Sequence, residues 1–128
     1  MDRTDVEKVI YEFFEADYIR DADRLDAVFH EKSEFFGFDK DGGLVRRTGK
    51  EFVNGFRRSG ADAGAAQQPD YPRLNEILSI DFTGENAAVA RTKMRVRNTL
   101  FTDIMCLMRI DGTWSIVAKI ASGVPIEE

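Results

Sequence analysis

Histidine and cysteine are almost missing from this 128-residue chain, which holds His30 and Cys106 and no other of either type. One thiol cannot close an internal disulfide or build a cysteine zinc site. One imidazole cannot make a multi-histidine metal centre, so no metal and no cofactor is expected. Basic residues are the minority, 18 Lys and Arg against 23 Asp and Glu, for a net charge of −5. Phosphate attraction needs a basic face, so a general nucleic-acid binder is excluded. Apolar runs stop after a few residues, far short of the ~20 that span a bilayer, and no membrane association is expected. The segment Met1-Asp2-Arg3-Thr4-Asp5 is polar and acidic, with no apolar export segment behind it. With the lone thiol, this predicts a reducing, cytoplasmic setting.

Core-forming residues are plentiful. Hydrophobic residues make up 43% of the chain, and ten Phe, three Tyr and one Trp supply aromatic bulk. A chain of this length forms one domain, here residues 1–128, and buries roughly 65–70% of its unfolded surface.

The first third reads as helix. Thr4 and Glu7 have capping-box spacing, and Val6, Val9, Ile10, Phe13 and Phe14 recur at helical intervals. Asp17 falls inside that apolar stripe, with Tyr11 and Tyr18 at its edge. Asp21 caps a second, shorter helix through Leu25, Val28 and Phe29. Glu34-Phe35-Phe36-Gly37-Phe38 reads as an aromatic strand, Asp39 to Gly43 as a turn, and Leu44-Val45-Arg46 as the returning partner. Thr48 and Glu51 open a helix carrying Phe52, Val53 and Phe56. Ser59 to Pro72 lacks periodicity and is expected to be a loop. The remainder is strand, with turns at Thr83–Asn86, Arg97–Leu100 and Asp111-Gly112, making a meander of four antiparallel strands.

A two-residue turn at Asp111-Gly112 pairs Ile110 with Thr113 and sets a register. One face then carries Asp103, Met105, Leu107, Trp114, Ile116, Ala118 and Ile120. Two-residue turns at Asn98-Thr99 and Gly84-Glu85 would add Val96, Met94, Thr92, Ala90, Ser79 and Ile77. The opposite face carries Ile104, Cys106, Met108, Ile110, Val117, Leu78, Ile80 and Val89 with Arg91, Lys93 and Arg95. A single bulge would reverse part of this assignment. Both faces are apolar near the last two strands, and the helices of one chain cover only one. The other face meets a second copy of the chain, giving a homodimer, or shelters within a closed sheet.

Several stretches carry a family resemblance: Arg20-Asp21-Ala22-Asp23-Arg24-Leu25 with Val28-Phe29-His30, Glu76-Ile77-Leu78-Ser79-Ile80-Asp81, Ala87-Ala88-Val89-Ala90, and Phe101-Thr102-Asp103 through Arg109-Ile110-Asp111-Gly112-Thr113-Trp114 to Lys119. With the element order, these resemble the nuclear transport factor 2-like superfamily, which includes ketosteroid isomerase-like and polyketide cyclase-like proteins. Within it the chain most resembles the "Putative lumazine-binding" group, over nearly its whole length. Glu31-Lys32 stands where the family pattern has a proline-acid pair. The resemblance implies an α+β, cystatin-like cone, with N-terminal helices packed on a strongly curved antiparallel sheet and a pocket between them. It does not assign an activity.

Asp103, on the predicted concave face beside Met105, is the leading candidate, because a carboxylate in an apolar cavity has a raised pKa and can act as acid, base or anchor. It can equally lie at a wet strand end. Asp17 can face the same cavity and form an acid/base pair with it, or sit at a frayed helix end. Tyr18 can donate to a ligand carbonyl or serve as rim packing. His30, at a helix end, can be a base or a cap. Phe14, Tyr18, Phe36, Phe38, Phe56, Asp103 and Met105 are the candidate ligand-lining set. No carboxylate occupies Phe36 to Phe38, where an isomerase of the ketosteroid type would carry its base. The expected function is binding of a small hydrophobic or aromatic molecule. A cofactor-free isomerase, dehydratase or cyclase using Asp103 with Asp17, Tyr18 or His30 is the alternative, and a protein-interaction module with a self-filled cavity is the third reading. Whether a reaction is catalysed stays open at this level.

Overall fold

Helix α1 (Asp2–Ile19) leads into the short α2 (Ala22–Val28) in the computed structural model, which describes residues 2–66 and 71–126. Strands β1 (Phe29–Phe38) and β2 (Leu44–Thr48) precede helix α3 (Gly49–Ala66), and β3 (Asn75–Thr83), β4 (Ala87–Val96), β5 (Thr99–Ile110) and β6 (Thr113–Pro125) complete the chain. The six strands form one sheet in the order β2-β1-β6-β5-β4-β3. Neighbours run antiparallel except β1 and β6, which are parallel. The sheet is therefore mixed, not wholly antiparallel as expected, because the chain crosses from β1 through α3 and the meander before it returns beside β1. The α+β class and the cystatin-like layout of helices on one sheet face stand.

Local chemistry explains most element boundaries. The Asp21 carboxylate accepts the Arg24 backbone N–H at 3.1 Å and caps α2. At the start of α3 the Glu51 N–H donates to Thr48 Oγ1 (3.1 Å), and the Thr48 N–H donates to Glu51 Oε1 (2.8 Å), a reciprocal capping box. The Thr4–Glu7 pair does not act this way, since α1 already begins at Asp2 and Thr4 lies within it. The segment expected as a loop from Ser59 is helical as far as Ala66. Alanine has the highest helix propensity, and the alanines at 61, 63, 65 and 66 favour the extension of α3 despite Gly64 among them. Residues 67–70 of that expected loop lie outside the described residues.

The meander register follows the turns. Ile110 pairs with Thr113, and Asp111 and Gly112 take φ of 53° and 80°, as a type I′ turn requires. The turn before β5 is Arg97-Asn98, one residue earlier than expected, with Val96 opposite Thr99; the side-chain faces are unchanged. One turn and two bulges decide the remaining faces. The turn before β4 holds three residues, 84–86, with Thr83 opposite Ala87, not the two expected at Gly84-Glu85. This turns Ile80 inward opposite Ala90 and leaves Ser79 outward opposite Arg91, and the register shift between Ile77 and Ser79 then returns Ile77 to the inner face opposite Thr92. In β6 the shift falls between the Leu107–Ile116 and Cys106–Ala118 pairs. Beyond it Lys119, not Ala118 or Ile120, faces the helices. A bulge adds one residue to one strand, so side-chain parity reverses on its far side.

The core lies between the helices and the inner sheet face. Val6, Ile10, Phe13 and Phe14 of α1, Leu25 of α2 and Val53 of α3 are buried against Ala90, Met105, Leu107 and Ile116. Each of the larger side chains, Ala90 excepted, contributes roughly 1.5–3 kcal/mol of burial free energy. Phe29 and Phe35 of β1 join Phe52 and Phe56 of α3 in a chain of ring contacts 4.7 to 6.0 Å apart. The outer sheet face is uncovered by any helix and exposes Val89, Ile104, Met108 and Ile120. Among the described residues no helix is long and apolar enough to cross a membrane.

Candidate active site in the hollow between helices and sheet

A hollow of about 520 Å³ remains where α1 ends above the sheet. Its size lies in the roughly 300–1,000 Å³ range of small-molecule sites. Asp17 and Arg20 from the end of α1, Phe52 and Phe56 from α3, and residues of β1, β2, β4, β5 and β6 border it. Five strands can surround one hollow only if the sheet curves, and the two bulges add local bend and twist.

Three ionisable groups are sunk into its wall. Asp17 is 4% exposed, Asp103 1% and Lys119 7%. Lys119 Nζ lies 3.5 Å from Asp103 Oδ2. The same ammonium sits 5.2, 5.3 and 5.6 Å from the ring centres of Phe35, Phe52 and Phe13. Ring faces attract a cation, most strongly where water is excluded. Among the described residues Asp103 Oδ1 is buried with no hydrogen-bond partner, and so is the hydroxyl of Thr92, which pairs with Asp103 across β4 and β5. A buried acceptor left unmade costs roughly 1–3 kcal/mol, so such an atom at a cavity wall is primed for a ligand donor.

Burial sets the protonation of the two acids. It pushes the Asp17 carboxyl from its ordinary 3.8 up to about 6, against the pull of Lys119 and Arg20 and with a further push from Asp103. Burial also raises Asp103, while Lys119 opposes the rise through its charge and hydrogen bond. An acid near neutrality beside a cation is suited to proton transfer.

Arg20 occupies the residue after α1 with φ of 60°. The Asp21 N–H donates to the Ala16 carbonyl (2.9 Å) and the Arg20 N–H to the Asp17 carbonyl (3.2 Å), the bond pattern of a Schellman cap. That position favours glycine or asparagine, and another residue there costs roughly 1–2 kcal/mol. Its guanidinium lies 3.7 Å from the centre of the Phe56 ring.

The sequence candidates fall into separate places. Asp17, Phe36, Phe38, Phe56 and Asp103 border the hollow, although Phe38 is largely exposed. Phe14 and Met105 are sealed in the core and do not border it. Tyr18 lies outside the lining with Arg73 stacked 3.9 Å from its ring centre. His30 is on β1, where Nδ1 accepts the Lys32 backbone N–H at 3.0 Å, away from the hollow. Sequence reasoning did not single out Lys119, Arg20, Phe52 or Phe101 as site residues. One signal for Lys119 existed: Ile116-Val117-Ala118 breaks strict alternation just before it, as a bulge does.

Helices on one face of a curved, mixed six-stranded sheet, with a hollow between the layers, define the nuclear transport factor 2-like class with its cystatin-like fold. The chain belongs to the family described as "Putative lumazine-binding", which it matches over residues 1–121. A nuclear transport factor 2-like protein of unknown function from Shewanella baltica superposes with a TM-score of 0.81 at 22% identity, covering 97% of this chain and 94% of that one. A ketosteroid isomerase-like protein from Erwinia carotovora atroseptica gives a TM-score of 0.71 at 13% identity, covering 94% and 95%. At these identities the likeness establishes the fold. The aldolase FrzH of Cladobotryum sp is 29% identical over 91 residues, covering 70% of this chain and 72% of that protein.

Proposed function

We propose that the chain binds a small apolar or aromatic molecule bearing a carbonyl group in the hollow between α1, α3 and the sheet. One observation carries the reading: buried Asp17, Asp103 and Lys119 share the wall of a cavity whose other walls include Phe52, Phe56 and Phe101. The rings supply burial. Lys119 and the unpartnered Asp103 oxygen supply a donor and an acceptor that orient polar groups. Native mass spectrometry of protein purified gently from its own host tests this. A retained small molecule supports it. A bare polypeptide mass, together with no response of Phe101 or Ala121 NMR resonances to aromatic ketones, refutes it.

Asp17 favours a second reading, in which the bound molecule is also a substrate. A carboxyl near 6 accepts or returns a proton next to a carbonyl, and the Lys119 ammonium stabilises the developing oxyanion. Isomerisation, dehydration, cyclisation and aldol chemistry all use that step. The isomerase-like name of one similar structure and the aldolase name of one relative accord with it. Tyr18 and His30 stand outside the lining, so this reading rests on Asp17, Asp103 and Lys119.

The uncovered outer face supports a homodimer. Val89, Ile104, Met108 and Ile120 lie together on β4, β5 and β6, on the side away from the helices. A second copy would remove this apolar surface from water.

A further inference from the structure

The geometry points to an anionic group on the ligand: we infer that Arg20 anchors a carboxylate, so the hollow takes small organic acids with an aromatic or aliphatic body. This rests on the small-molecule reading above and narrows its ligand class. Arg20 borders the hollow, and among the described residues its buried Nε has no hydrogen-bond partner. Among the described residues its guanidinium makes no ion pair; its contact is the Phe56 ring at 3.7 Å. A guanidinium seated over a ring face contacts it without using its N–H donors, and those donors match a carboxylate in a two-point fork.

Two acids near the hollow already have partners. Asp103 Oδ2 faces Lys119, and Asp39 Oδ1 accepts the N–H groups of Asp41 (2.9 Å) and Gly43 (2.7 Å). Arg47 stands at the β2 rim of the same hollow and adds positive potential. Asp17 lies close enough to Arg20 to feel its charge, yet the two form no ion pair. Backbone strain is the second, independent observation. An arginine is held at φ 60° in a cap where glycine fits without cost. Strain kept at a cavity wall fits a side chain required there. Phe52, Phe56, Phe101 and Val96 then receive the apolar body. That requirement separates such an acid from a bare anion.

Isothermal titration calorimetry with 3-phenylpropionate and its neutral amide, 3-phenylpropanamide, tests the inference, with acetate and inorganic phosphate as anions lacking an apolar body. The acid is expected to bind about tenfold or more tighter than the amide, the size of a charge-assisted fork, and the bare anions weakly or not at all. Arg20→Gly suits the backbone, so it is expected to keep or raise the melting temperature while erasing the acid's advantage and leaving amide binding unchanged. Arg20→Lys is expected to keep part of that advantage. Equal binding of acid and amide to the wild type, or an equal loss of both in Arg20→Gly, overturns the anchor and leaves the small-molecule reading intact. Binding of phosphate as tight as the acid also overturns it. Failure of acid and amide alike overturns both readings.

Discussion

Asp17→Asn isolates the group on which the proton-transfer reading depends. In the folded protein burial raises the Asp17 carboxyl from 3.8 to about 6. At 1.36 kcal/mol per pKa unit that difference corresponds to about 3 kcal/mol of stability. Between those two values the folded state holds a proton that the unfolded state has released. Stability from this group is therefore full below about pH 4 and is lost as pH rises through about 6. Asparagine cannot ionise, so the variant lacks this loss. Urea unfolding of wild type and Asp17→Asn from pH 4 to pH 8 is the assay. The difference between the two curves cancels the other carboxylates, including Glu12, Glu34 and Glu51, whose lowered values act in the opposite direction. The variant is expected to gain about 3 kcal/mol on the wild type between the acid and the neutral end. A difference that is independent of pH, or that grows toward acid, refutes the buried-acid argument.

Lys119→Met is expected to lose roughly 3–5 kcal/mol above neutral pH, because it strips the cation from buried Asp103. The loss shrinks at acid pH as the carboxyls take up protons, which chemical denaturation at two pH values reads directly. Gly123→Ala places a Cβ 2.7 Å from Phe101 Cε1, so the ring is pushed from its seat. A cost of roughly 1–3 kcal/mol and weaker ligand binding by calorimetry are expected. Ile104→Glu on the outer face is expected to convert a dimer to monomer in sedimentation velocity with the melting profile kept. A wild type that sediments as a monomer at high concentration removes the dimer proposal.

Local chemistry was legible in the sequence wherever one residue decides an outcome. Asp111-Gly112 set the last hairpin, Thr48 with Glu51 opened α3, and Asp21 capped α2. Asp17 was recognisable because a helix wheel places it on an apolar stripe, and it is buried there. Positions beyond a bulge were not legible. Lys119 changed face beyond the β6 bulge, with only the broken alternation at Ile116-Val117-Ala118 to hint at it, and Ile80 changed face because the turn before β4 holds three residues instead of two. Phe14 and Met105 share the inner side of the structure with the site, yet periodicity alone does not separate a core wall from a cavity wall. Arg20 was hidden for another reason. Its placement depends on a positive φ that arginine seldom adopts, and no spacing rule announces it. The 61–66 segment was misread because Asp62 and Gly64 interrupt its four alanines, and alanine prevailed.

The most direct test of the central claim is a chemical-shift map of the isotopically labelled protein titrated with acetophenone, a small aromatic ketone. The account predicts saturable shifts confined to residues around the hollow, with Phe52, Phe101, Ala121 and the Lys119 ammonium group foremost. Shifts scattered over the surface, or gathered on Val89, Ile104 and Met108 of the outer face, would contradict it.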